Sequence, residues 1–222
     1  MAKETAHQLG TPLSSLLGWL EVIDRDNRRE LSAEDEQELL DTTIENMQVD
    51  VDRLQKVANR FGLIGSVPEL TPCDINELVD ESIAYYRRRL PFEGRGIQIS
   101  SVTTKLPLVP LNRELFGWVL ENLIKNAMQS VDAKTGRIHL ATTLATDGRT
   151  VRVEIKDNGK GISAAAARKI FRPGFTTKKR GWGMGLTLVK RIVEEYHRGR
   201  VYLLRSRPGE TVFEILLPGD KA

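Results

Sequence analysis

The chain has 222 residues, 40% of them hydrophobic and 28% charged, enough for one medium core and a smaller second element. A formal net charge of +3 makes no case for a nucleic-acid partner, no apolar run approaches the length of a bilayer crossing, and no signal peptide is visible. The single cysteine, Cys73, excludes an internal disulfide and fits a reducing compartment, so a cytoplasmic chain with no membrane contact of its own is expected.

The N-terminal third reads as a helical hairpin. Leu13, Leu16, Leu17, Leu20 and Ile23 recur at helical spacing. The polar stretch from Asp24 to Glu30 breaks that pattern and marks a connection. Ser32, with Asp35 three residues on, supplies oxygens for the free N–H groups of a new helix. Leu40, Ile44, Met47, Val51, Leu54, Ala58 and Phe61 then follow at spacings of four and three, the seam of a coiled coil or four-helix bundle. Burying each large seam residue contributes roughly 1.5–3 kcal/mol before entropy. Two helices cannot hide such stripes alone, so a homodimer closing a four-helix bundle is expected; packing against the C-terminal part of the same chain is the alternative. Gly62, Gly65 and Pro68 mark a hinge, which divides the chain into residues 1–64 and 65–222.

Beyond the hinge, Ile75, Leu78, Val79, Ile83, Tyr86 and Leu90 have helical spacing, with Asp74 or Asn76 near the cap. Residues 96–102 alternate like a strand. Pro110 precedes a helix carrying Leu111, Leu115, Val119, Leu120, Leu123, Ile124 and Ala127. Asn122 and Asn126 lie four apart on it and share one face. Strand patterns follow at Arg137 to Thr143 and Thr150 to Lys156, then a helix to about His197, then strands at Arg200 to Arg205 and Thr211 to Leu217. Alternating helices and strands, with antiparallel pairs late in the chain, describe a two-layer α/β sandwich.

Between the strand at 150–156 and the last helix lies the stretch around which the chain is organised. The strand delivers Asp157 with its carboxylate free. Gly159 and Gly161 let the backbone turn and approach a flat ligand, because they lack a Cβ. Gly181, Gly183 and Gly185 lead into a helix beginning near Leu186, whose free N–H groups favour anions. A carboxylate at one end and an anion site at the other describe a nucleotide. Taken alone, each piece has a plain counterpart: Asp-x-Gly-x-Gly a hairpin turn, Gly-x-Gly-x-Gly a weak motif, Lys178-Lys179-Arg180 a solvated basic turn.

The order of these pieces resembles the ATP-binding domain shared by sensor histidine kinases, gyrase and MutL. Asp157, Gly159, Gly161 and Ile162 match the first glycine box. Phe171, Phe175, Thr176, Thr177 and Lys178 match the phenylalanine box of kinases with short lids. Gly181, Gly183, Met184, Gly185 and Leu186 match the second glycine box, and Glu121 to Ala127 the asparagine box. The resemblance implies ATP as the ligand, Asp157 on the adenine amino group, Mg²⁺ on Asn126 with Asn122 beside it, and Lys178 at the terminal phosphate. Gln129 stands where some relatives carry a basic phosphate contact, a role left to Lys178 or to Lys125 if it points inward.

At the other end, His7-Gln8-Leu9-Gly10-Thr11-Pro12-Leu13 resembles the phosphoacceptor box of sensor histidine kinases. A neutral imidazole, with an ordinary pKa of about 6.5, can attack a γ-phosphate at neutral pH. The family has Glu or Asp after the histidine; the amide of Gln8 orients a ring but cannot accept its proton. Thr11 matches the family position that helps water attack the phosphorylated partner. The implied architecture is a helical hairpin that dimerises into a four-helix bundle, followed by an α/β sandwich that binds ATP. The implied activity is autophosphorylation on His7 and transfer to a response-regulator receiver domain, with phosphatase activity open. A kinase-weak regulator-docking module and a gyrase- or MutL-type ATPase are the alternatives. With His7 so near the start, a longer protein, anchored to a membrane or not, is expected.

Overall fold

The computed structural model describes residues 13–23, 37–48, 50, 51, 54, 68–90, 96–178 and 183–219. The chain divides into two units, Met1–Ser66 and Val67–Ala222. In the first, residues 13–23 form helix α1 and residues 37–48 form helix α2, with 50, 51 and 54 also helical. The Trp19 indole donates to Asp50 Oδ2 at 3.2 Å, which ties α1 to the far part of α2. Thr43 and Asp50 are buried, and the Thr43 hydroxyl donates to the Leu39 carbonyl one turn back. The apolar positions behave differently. Leu17 is 56% and Ile44 49% exposed, and Leu13, Leu20 and Val51 are exposed as well. The expected helix start at Ser32 and Asp35, the seam positions Ala58 and Phe61, and the hinge apart from Pro68 lie outside the described residues.

The second unit runs β1 (Thr71–Cys73), α3 (Ile75–Arg89), β2 (Gln98–Val102), β3 (Val109–Leu111), α4 (Arg113–Ser130), β4 (Arg137–Leu144), β5 (Thr150–Asp157), α5 (Ala164–Ala167), α6 (Gly185–Arg191), a π-helical turn (Ile192–Tyr196), β6 (Arg200–Arg207) and β7 (Glu210–Pro218). Five strands make one mixed sheet in the order β2-β4-β5-β7-β6, parallel between β2 and β4 and antiparallel elsewhere. Alternation assigns its two faces. Ile138, Leu140, Val151, Val153, Ile155, Ile215 and Leu217 are buried, while Arg152 and Lys156 carry ion pairs to Glu214 and Glu210 on the other face. Helices α3, α4 and α6 supply the second layer through Ile75, Val79, Leu115, Phe116, Leu120, Ile124 and Val189, all buried.

Caps fix where the helices begin. Asp74 accepts from Asn76 N–H at 2.8 Å ahead of α3. Leu111, expected in the helix behind Pro110, instead ends β3, and α4 starts two residues later with Asn112 as its cap, accepting from Leu115 N–H at 3.0 Å. The β1–β3 pair was absent from the sequence expectation; Pro72 faces Pro110 across it. Among the described residues no helix is long and apolar enough to cross a membrane.

Candidate functional site

The end of β5 and the last turn of α4 build one half of the site. Asp157 closes β5 and is only 4% exposed, so its carboxylate is not free as the sequence suggested. Its Oδ1 accepts from Gly159 N–H at 2.8 Å, and the Ser130 hydroxyl donates to the same carboxylate. Burial pushes the Asp157 pKa up, and the two donors oppose it by stabilising the anion. Gly159 has no room for a side chain: a Cβ would lie 2.1 Å from Ser130 Oγ and 2.6 Å from Asp157 Oδ1. Gly161 turns with φ +77°, and a Cβ there would meet the Arg207 backbone at 2.7 Å. Ile162 N–H donates to Ser206 Oγ at 2.7 Å, pinning the turn to β6. Thr211 lies opposite Asp157 in the β5–β7 register and is buried.

The middle of α4 builds the other half. Asn122 donates through Nδ2 to the Trp118 carbonyl at 2.8 Å and leaves its Oδ1 against Gly185, where a Cβ would lie 2.8 Å away. One turn on, Asn126 Oδ1 accepts from Lys178 Nζ at 2.8 Å, and the same ammonium donates to Gln129 Oε1. Lys178 is fixed at its own backbone by Thr176 Oγ1, which accepts its N–H at 3.1 Å. The residue is exposed, yet partial withdrawal of the ammonium from water, and then the charge of Lys160, push its pKa down. Lys125 is not part of this convergence: it is exposed and pairs with Glu121 at 2.5 Å.

Between the halves runs the loop that carries the phenylalanines. The Phe171 ring meets Phe213 of β7 edge-on at 6.5 Å, and the Phe171 carbonyl accepts from the Thr187 hydroxyl of α6 at 3.3 Å. Phe175 is half-buried, and its carbonyl would lie 2.4 Å from a Cβ on Gly183, which has φ +65°. Met184 and Leu186, half-buried, flank the first residue of α6. Thr177 is exposed. Gly181, and with it His7, Gln8 and Thr11, lie outside the described residues.

Two neutral amide oxygens, Asn126 Oδ1 and Gln129 Oε1, already converge on a positive group in the Lys178 ammonium. Among the described residues no cluster of three or more His, Cys, Asp or Glu offers an all-protein cage. That combination fits a Mg²⁺ that keeps several waters and shares substrate phosphates. Ser130 and Gln129 were the residues the sequence underrated. Both sit within one turn of Asn126 on the same helix, a spacing that was available to be read.

A frame behind the site is set by His197, 2% exposed at the end of the π-turn. Its Nε2 accepts from Asn112 N–H at 3.0 Å, and its Nδ1 faces the Ile192 carbonyl at 2.8 Å. Only the neutral ring with its proton on Nδ1 serves both partners. The ring therefore ties the start of α4 to the end of the α6 segment.

Residues 112–221 match the family model described as histidine kinase-, DNA gyrase B-, and HSP90-like ATPase. The chain is 29% identical over 221 residues to the sensor protein TdiS of Thauera aromatica, covering 98% of this chain and 40% of that protein. It is 31% identical over 217 residues to the signal transduction histidine-protein kinase AtoS of Escherichia coli (strain K12), covering 96% of this chain and 33% of AtoS. It is also 31% identical over 229 residues to the sensory histidine kinase/phosphatase NtrB of Rhodobacter capsulatus, covering 98% of this chain and 61% of NtrB. The chain thus spans between a third and about three-fifths of the length of these three relatives. Among solved structures, the nucleotide-free catalytic domain of the histidine kinase ThkA matches at 28% identity and a TM-score of 0.60, over 68% of this chain and 96% of that one. Full-length ShkA, solved in complex with AMPPNP, shares the fold at 23% identity and a TM-score of 0.67, over 99% of this chain and 46% of that one. With the sheet, the buried Asp157 and the glycine turns in place, the chain carries an ATP-binding domain of the histidine kinase-, DNA gyrase B- and HSP90-like type and is similar along almost its whole length to sensor histidine kinases.

Proposed function

We propose that this chain is the catalytic core of a two-component sensor kinase, which transfers the γ-phosphoryl group of ATP to His7 and then to an aspartate of a response-regulator receiver domain. The observation that carries the nucleotide half is the buried Asp157, oriented by Gly159 and Ser130 at the end of β5. Asp157 accepts from the adenine amino group, and the turns at Gly159, Gly161 and Ile162 pass beneath the base. Asn122, Asn126 and Lys178 serve the phosphates, and the residues of the loop from Phe171 to Thr177 and of the second glycine box (Gly181, Gly183, Met184, Gly185 and Leu186) are assigned to the same ligand. A Mg²⁺ held by Asn126 would neutralise charge on those phosphates. Phosphoryl transfer asks the protein mainly for positioning and charge neutralisation, which is what these side chains provide. At the acceptor, a neutral His7 nitrogen attacks the γ-phosphorus as the bridging oxygen leaves with ADP.

The division into a dimerising acceptor hairpin at 1–64 and an ATP-binding domain at 65–222 belongs to this proposal. The exposed Leu13, Leu17, Leu20, Ile44 and Val51 support it, since a second copy would cover them. A second reading, a regulator-docking and phosphatase module with weak kinase activity, is favoured by Gln8 and Thr11; NtrB, named as a kinase/phosphatase, is among the relatives. Labelling with γ-labelled ATP decides between them. Acid-labile, base-stable label on the chain, lost in His7→Ala, is expected. ATP binding without label would shift the assignment to the docking module. ATP hydrolysis without label would favour an ATPase of the gyrase type.

A further inference from the structure

Lys178 reaches across to α4 from a loop 52 residues further along the chain, and its ammonium meets two oxygens, Asn126 Oδ1 at 2.8 Å and Gln129 Oε1. Neither oxygen carries a charge. Asn126 and Gln129 are three apart on α4, so both face the same side. The neighbouring cation, Lys125, is spoken for by Glu121, and Lys160 adds a second positive charge to the surroundings of Lys178. A carboxylate at position 129 would hold the ammonium firmly, a lysine would repel it, and an amide holds it weakly enough to exchange.

We propose that Gln129 is a positioning residue: with Asn126 it seats the Lys178 ammonium as a placeholder cation in the nucleotide-free protein, and the divalent cation that arrives with a nucleotide takes Asn126 in exchange and frees Lys178 for the phosphates. This rests on the nucleotide-site reading above. Two consequences follow from the exchange. The seat stabilises the nucleotide-free state, so it opposes binding of the metal–nucleotide complex. Gln129 acts only through Lys178, so its effect vanishes when Lys178 has no ammonium.

The test is a double-mutant cycle on the full chain with Gln129→Met, Lys178→Met and the double variant. Nucleotide-free thermal denaturation comes first. Each single substitution is expected to lower Tm by about 1–3 °C, and the double no further than the worse single. Additive shifts, or none, overturn the seat. Calorimetry with Mg·ADP follows. Gln129→Met is expected to bind about 3–10-fold more tightly than the parent, and to change nothing in the Lys178→Met background. Weaker binding in both backgrounds would mean that Gln129 touches the nucleotide itself, and the proposal falls. A parent chain that binds no Mg·ADP would sink the nucleotide-site reading, while the nucleotide-free cycle would still judge the seat.

Discussion

Asp157 is buried at the end of a central strand and held by a backbone N–H and a serine hydroxyl, whereas Asn126 and Lys178 meet through the tips of flexible side chains from a helix and a loop. These are the adenine and phosphate ends of one proposed site. At the first, the sheet register sets the geometry before any ligand arrives, and two oxygen-directed bonds are already made. At the second, the polar groups satisfy one another until something better charged displaces them. The contrast teaches where binding specificity and where adaptability reside. A flat neutral base needs a fixed acceptor, while phosphates that change during the reaction need groups able to move.

If that contrast is right, matching glycine substitutions should differ in effect. In Gly159→Ala the new Cβ meets Ser130 Oγ at 2.1 Å and Asp157 Oδ1 at 2.6 Å, beside the backbone of Ser130 at 2.7 Å. Relief requires moving Asp157 or the end of α4, so ATP affinity should drop roughly a hundredfold. In Gly185→Ala the contact is Asn122 Oδ1 at 2.8 Å, a side-chain tip that can swing. A drop of about tenfold or less is expected there. Calorimetry on both variants, with circular dichroism to confirm folding, makes the comparison. Equal losses would erase the distinction between a rigid and an adaptable end.

Removing the charge at the rigid end tests it more gently. Asp157→Asn keeps the shape but loses a charge-assisted bond, which costs about 1.5–3 kcal/mol, or roughly ten- to a hundredfold in ATP affinity. The pH profile sharpens the point. Burial raises the Asp157 pKa above the ordinary 3.8, so the group takes up its proton at a higher pH than an exposed aspartate does. The protonated acid accepts less well from an amino group, so ATP affinity should fall as pH is lowered, beginning above pH 3.8. Ser130→Ala, which deletes one donor that favours the anion, should move that fall to still higher pH. Asp157→Asn should lack it. Unaltered ATP affinity in Asp157→Asn would remove this residue from the site.

How much of this could be read from the chain depended on the range of the interactions. Strands β4 and β5 were legible because seven or eight residues of alternation report one wet and one dry face. Strands β1 and β3 were not, since each has three residues and places a proline, without an N–H, at its centre. Proline also misled at the start of α4, where Pro110 suggested a helix that Asn112 actually begins. At the site, the boxes gave away the helix, the strand end and the turns. The burial of Asp157 depends on Ser130 and Thr211, from α4 and β7, which only the folded sheet brings to it. The seat of Lys178 on Gln129 joins side chains 49 residues apart, beyond any local pattern. The π-turn after α6 shifts the helical register by one residue, too little to disturb the apolar spacing.

The smallest expected effect concerns the frame that holds both ends in place. His197 accepts from Asn112 N–H and faces the Ile192 carbonyl, so the buried ring is neutral and its pKa is pushed down, chiefly by burial, with the carbonyl pulling the other way. The sign follows from linkage. Below the ordinary 6.5 the unfolded chain takes up a proton that the folded chain refuses, so this group's share of stability is intact above that value and is lost as pH falls through it. The loss is bounded at about 1.4 kcal/mol per pH unit, until the folded-state ring itself titrates. Comparing Tm at pH 7.5 and 5.5 for the parent and His197→Phe isolates it. The substitution leaves Asn112 N–H and the Ile192 carbonyl without this partner, so Tm should be lower at both pH values. The drop between them should shrink by about 2–4 °C, because the titrating group is gone. An undiminished pH dependence would show that the ring is not held neutral, and that the link between α4 and the α6 segment does not depend on its proton.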